Sequence, residues 1–141
     1  MGTLALMKRV LHARLRDARQ LAGVRRTVGE SLATVGVEGH SHAVNLVLSE
    51  LVTNALLYGE PPFVVTVTVD DNSTSIFVED AGSEFPSRRP SVRGEPGGYG
   101  LNLVDAAANG WGVIARQGDG KVVWAEIPHQ YRLAPRLSVD A

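Results

Sequence analysis

The sequence predicts a single α/β domain, with two helices ahead of a set of hairpin-forming strands. Three observations point to it. Apolar residues recur at intervals of three and four in two consecutive segments between Asp17 and Tyr58, the period of helices with one buried face. Phe63, Val65, Val67 and Val69 then alternate with Val64, Thr66 and Thr68, the period of a strand with one buried side. The length of 141 residues, 44% hydrophobic and 21% charged, matches one ordinary globular domain with its own core.

In chain order, residues 1–16 form an N-terminal edge segment in which Val10, Leu11 and Leu15 suit a short edge strand or the ragged start of a helix equally. From Asp17, a plausible N-cap, Leu21, Val24, Val28, Leu32 and Val35 mark a helix whose arginines fall mainly on the opposite face. Gly36 and Gly39 end it. Ser41 is expected to cap the second helix, which runs to Tyr58 and stops at Gly59 and the Pro61-Pro62 pair. On its wheel Val44, Val47, Leu48, Leu51 and Ala55 form the core face, and Asn45, Ser49 and Thr53 the polar face. The strand at 63–69, a turn at Asp70 to Ser73 and a second strand from Thr74 to Asp80 read as a hairpin with Asp80 at its far end.

Ser83 to Gly98 holds three prolines, three glycines and three arginines, so it packs little apolar surface and reads as a long functional loop. It leads into Gly97-Gly98-Tyr99-Gly100 and a helix carried by Leu101, Leu103, Val104 and Ala107. A helix start preceded by glycines offers unpaired N–H groups and the positive end of the dipole to an anion, although glycines there also serve packing. Strands at Gly110 to Arg116 and Lys121 to Ile127, joined by a Gln117 to Gly120 turn, finish the domain at 17–127, with Trp111 and Trp124 as core aromatics. Residues 128–141 read as a loose tail.

The formal net charge of -1 gives no electrostatic reason to expect a nucleic-acid or membrane partner, although the first thirty residues are locally basic. With no cysteine there is neither a disulfide framework nor a thiolate zinc site. No apolar run reaches membrane-spanning length and no signal-peptide pattern opens the chain, so a cytoplasmic address is expected. His12, His40, His42 and His129 read as surface residues, without metal-ligand spacing, and neither a P-loop nor a GxSxG pattern is present.

What remains is the segment Ser49 to Tyr58. It places Glu50 and Asn54 one helical turn apart beside Ala43, Leu46 and Leu57, where a carboxylate is partly desolvated and its pKa pushed upward. Such an environment suits a general base, and equally an edge carboxylate with no task. Asp80 followed by Ala81-Gly82 marks either a turn or a ligand-binding edge.

Taken together and in order, Glu50-Leu51-Val52-Thr53-Asn54-Ala55, Asp80-Ala81-Gly82 and Gly98-Tyr99-Gly100-Leu101 resemble the N, G1 and G2 boxes of the GHKL (gyrase, histidine kinase, MutL) ATP-binding family. The short chain is similar to the anti-sigma-factor serine/threonine kinases of bacterial partner-switching systems. The resemblance implies a two-layer α/β sandwich, the Bergerat fold, with helices on one face of a mostly antiparallel sheet and Ser83 to Gly98 as a lid over ATP. It implies Glu50 as catalytic base and Asn54 as the holder of Mg2+. It places Asp80 and Gly82 at the adenine amino group, and Gly98, Tyr99, Gly100 and Leu101 around the phosphates. The implied partners are an anti-anti-sigma protein as substrate and a sigma factor, with a homodimer expected by the same analogy.

The chain departs from the family pattern at three places. Glu84 stands where the G1 box usually has a second glycine, Tyr58 where a histidine often follows the N box, and Val122 where a threonine commonly supports adenine. The leading expectation is an ATP-binding anti-sigma factor with serine/threonine kinase activity; the alternative is a catalytically silent module that sequesters a regulator. A sensor histidine kinase domain fits less well, since the chain has no helix pair bearing a phosphoacceptor histidine.

Overall fold

A computed structural model describes residues 7–83, 98–116, 118 and 120–129. Residues 84–97 of the lid expected over Ser83 to Gly98, Glu84 among them, and residues 130–141 of the tail expected over 128–141 lie outside the described residues.

The N-terminal segment is a strand, β1 (Lys8–Leu15), followed by α1 (Leu21–Thr34), α2 (Ser41–Tyr58), β2 (Phe63–Val69), β3 (Ser73–Asp80), α3 (Gly98–Ala107), β4 (Gly110–Ala115) and β5 (Lys121–Pro128). The strands form one sheet in the order β1-β2-β3-β5-β4, antiparallel at each pairing. β1 is held as an edge strand because β2 pairs with it from Lys8 opposite Val69 to Leu15 opposite Phe63, with a shift of register between Arg9 and Leu11. The two-layer arrangement follows from burial. Phe63, Val65, Val67, Val69, Ile76, Val78, Val123, Ala125 and Ile127 point to one side of the sheet. They pack with Val24, Val28 and Leu32 of α1, Val44, Val47, Leu48, Leu51, Val52 and Ala55 of α2, and Val104 of α3.

Caps and outer faces depart from the sequence expectations in detail. Asp17 does cap: its carboxylate accepts the Arg19 N–H at 2.9 Å while the Gln20 side chain accepts the Arg16 and Asp17 N–H groups, closing a capping box on the short turn that leads into α1. Ser41 is instead the first residue of α2, and His40 holds the N-cap position with no side-chain cap. The Asn45 amide donates to Arg25 O of α1 at 3.4 Å and the Ser49 hydroxyl to Asn45 O at 2.8 Å. Both tryptophans are half-buried: Trp111 packs against the core as expected, whereas Trp124 is not a core aromatic. Trp124 alternates with buried Val123 and Ala125, so its ring lies across the face away from the helices, where a Cβ on Gly112 would meet its Nε1 at 2.9 Å.

His40 and His129 are not surface residues: they are 4% and 5% exposed, their rings meet edge to face at 4.6 Å, and His129 Nε2 lies 3.2 Å from the Thr74 hydroxyl. Burial, reinforced by the neighbouring His129, lowers the His40 pKa from 6.5 to about 4. Between those pH values the unfolded chain binds a proton at this position that the folded chain does not. Stability is therefore full above pH 6.5 and falls as pH drops towards 4, by up to about 1.4 kcal/mol per pH unit. Denaturant midpoints measured from pH 7 to 4.5 should fall less steeply for His40→Gln than for the wild type; parallel curves would remove His40 from this role.

Candidate functional site

The end of β3 meets the end of α2, and glycine makes the meeting close enough. Gly59 closes α2, its N–H donating to Ala55 O at 2.7 Å, and a Cβ there would lie 2.5 Å from Asp80 Cγ. Asp80, the last residue of β3, is 1% exposed. Its Oδ1 accepts three donors: the Gly82 N–H at 2.6 Å, Lys121 Nζ at 3.0 Å and the Glu60 N–H at 3.4 Å. The Ala81 N–H donates to Glu60 O at 2.8 Å and completes the tie between the two elements. Asp80 Oδ2 is buried and has no hydrogen-bond partner among the described residues. A buried carboxylate oxygen left unpaired costs free energy of its own, so this atom is an acceptor for a donor that the described residues do not supply.

Glu50 and Asn54 stand on α2 upstream of that junction. At 1.5 Å per residue Asn54 is about 7.5 Å, and Glu50 about 13.5 Å, from Gly59 along the helix axis. Both are half-buried. Burial raises the Glu50 pKa, the direction that brings a carboxylate closer to the range of a general base. Asn54 Nδ2 is buried and has no hydrogen-bond partner among the described residues. α3 packs beside α2, and the backbone of Gly98, Tyr99, Gly100 and Leu101 makes its first turn. The glycines thus lie within the helix rather than ahead of it as the sequence suggested. The N–H groups of a first turn lack intrahelical acceptors and carry the positive end of the helix dipole, which suits an anionic group.

This arrangement fits a purine nucleotide. Asp80 Oδ2 can accept from an exocyclic amino group beside Gly59, where the lack of a side chain leaves the carboxylate uncrowded, and the first turn of α3 can receive phosphate. No cluster of three histidine or acidic side chains for a metal occurs among the described residues. Magnesium is often held by one or two protein oxygens together with nucleotide phosphates, so Asn54 Oδ1 fits it only alongside a nucleotide.

One expectation is corrected. The strand position beside Asp80 is not Val122, which pairs with Glu79 and turns to the other face; it is Lys121, directly opposite Asp80 and 3% exposed. Gly120, at φ +94°, brings β5 this close, since a Cβ there would lie 2.5 Å from Asp80 O. Lys121, Gly59 and Gly120 were not singled out from the sequence. Their available signals were a lysine that breaks the apolar face of a strand and a glycine directly before it.

Among the described residues no helix is long and apolar enough to cross a membrane. Comparison with curated proteins returned no match. A family model described as a histidine kinase-like ATPase domain matches residues 15–127.

Proposed function

Because this chain belongs to the histidine kinase-like ATPase (GHKL) family, we propose that it is an ATP-binding anti-sigma factor with serine/threonine kinase activity towards an anti-anti-sigma protein. The observation that carries the nucleotide reading is Asp80: a buried carboxylate with one oxygen held by Gly82, Glu60 and Lys121 and the other unpaired. The anti-sigma reading is supported by the resemblance of the short chain to kinases of partner-switching systems, and a homodimer is expected on the same ground.

ATP as substrate supplies the γ-phosphoryl group. The residues of this chain bind and orient it: Asp80 with Gly82 at the adenine, Asn54 at Mg2+, and the N–H groups from Gly98 to Leu101 at the phosphates. Glu50 takes the proton of the attacking serine or threonine hydroxyl as its oxygen bonds to phosphorus and the bond to the β-phosphate oxygen breaks. Burial raises its pKa, which makes it a stronger base than an exposed carboxylate.

A second reading, a silent module that sequesters its partner, is favoured by the Lys121 ammonium already seated on Asp80 Oδ1. Isothermal titration of the full chain with a non-hydrolysable ATP analogue separates the two. Saturable binding strengthened by Mg2+ is the expected result. No heat of binding at millimolar analogue would leave the sequestering module as the function.

A further inference from the structure

The buried ion pair at the end of β3 does more than neutralise Asp80. Lys121 Nζ is 3.0 Å from Asp80 Oδ1 and 3.5 Å from Gly82 O, the latter at the limit of a hydrogen bond. An ammonium has three N–H donors, so at least one remains uncommitted. The lysine side chain is 4% exposed, which keeps that donor from solvent as well. The two oxygens of one carboxylate lie closer together than a hydrogen-bond length, so the uncommitted donor and the unpaired Asp80 Oδ2 are neighbours. Gly59 and Gly82 border the carboxylate, where a side chain on either would crowd it, and Gly120 lets β5 approach the Asp80 backbone, where a Cβ would lie 2.5 Å from Asp80 O. A donor and an acceptor thus stand together, both buried, with neither satisfied among the described residues.

We propose that Lys121 is a specificity-determining residue that reads the base, an inference that rests on the nucleotide reading above. Asp80 Oδ2 accepts from the exocyclic amino group of adenine while Lys121 Nζ donates to the adjacent ring nitrogen N1. A charged donor matched to a ring acceptor discriminates strongly, because a ligand without that acceptor leaves the ammonium buried and underused. The ion pair with Asp80 also holds the lysine in place before ligand arrives, so little side-chain entropy is lost on binding.

The test compares ADP with 1-deaza-ADP, which keeps the amino group but has C–H in place of N1, by isothermal titration of the full chain. The wild type should bind 1-deaza-ADP about tenfold more weakly than ADP. Lys121→Met should bind both nucleotides alike, and Lys121→Arg should keep the preference. Equal affinities in the wild type, or an undiminished preference in Lys121→Met, would overturn the assignment of Lys121 while leaving the nucleotide site standing. Failure of the wild type to bind either nucleotide would remove the site and the assignment together. A readout that needs no folded variant is the 15N-detected ammonium signal of Lys121 in the wild type. It should shift with ADP and much less with 1-deaza-ADP; identical shifts would likewise overturn the assignment.

Discussion

Asp80→Asn is expected to weaken binding of a non-hydrolysable ATP analogue by about 10- to 100-fold, the worth of hydrogen bonds to a charged group in a buried site. The amide keeps the shape of the carboxylate and loses its charge. One of its two positions becomes a donor, so whichever way the amide turns, either Lys121 or the ligand amino group faces an N–H. The same change removes the counter-charge of an ammonium that is 4% exposed. Breaking a buried pair at one partner costs about 3–5 kcal/mol, so the melting temperature should fall clearly as well. The two effects separate experimentally. Titration is done at a temperature where circular dichroism shows the variant folded, and Asp80→Asn combined with Lys121→Met should recover much of the stability without recovering affinity. An Asp80→Asn protein that binds the analogue as tightly as the wild type would remove Asp80 from the nucleotide site.

Glu50→Ala is expected to lower the rate of phosphoryl transfer by about 10²- to 10⁴-fold, the usual worth of a positioned general base. Nucleotide affinity should change by less than about threefold, because the carboxylate acts on the proton of the acceptor hydroxyl and not on the base or phosphates. The readout is turnover of radiolabelled ATP, to an acceptor protein where one is captured and to water otherwise. Loss of fold as a confounder is checked by thermal melting. Burial raises the Glu50 pKa, so the ionised form is disfavoured in the folded state. Whatever stability the group contributes is present below its unfolded pKa and lost as pH rises through the folded one. At pH 7.5 the alanine variant should therefore melt no lower than the wild type. In the wild type the rate should rise with pH through the Glu50 pKa, and the residual rate of Glu50→Ala should not follow that rise. Undiminished turnover in Glu50→Ala would strike Glu50 from the catalytic role and favour the sequestering module.

Much of the fold was legible in one sequence because its signals are local. The alternation from Phe63 to Val69 is the pleat of β2 written out, and the same residues are buried in the structure. The core face of α2 was readable from Val44, Val47, Leu48, Leu51 and Ala55, with Val52 added by the structure. Glu50 and Asn54 were visible as polar residues in an apolar helix. Asp80 was visible as an acidic residue at a strand end, and the resemblance tied these together. Less legible were features made by contact between distant segments. His40 and His129 carry no mark of burial in their neighbourhoods; α2 and β5 bring them together. β1 could be a strand or a helix start until β2 offered its ladder.

By itself the sequence determined the succession of helices and strands from Asp17 onward, the faces that α1, α2 and β2 bury and the order of Glu50, Asn54, Asp80 and the glycines before Leu101. These follow from the periods of 3.6 and 2 and from the chemistry of single side chains. The tertiary structure alone decided which residue meets Asp80. β3 and β5 lie about forty positions apart, and their register is set by pairing along the whole ladder, from Ser73 opposite Pro128 to Asp80 opposite Lys121. Because side chains alternate across a strand, a shift of one residue exchanges a valine on the open face for a buried lysine on the carboxylate.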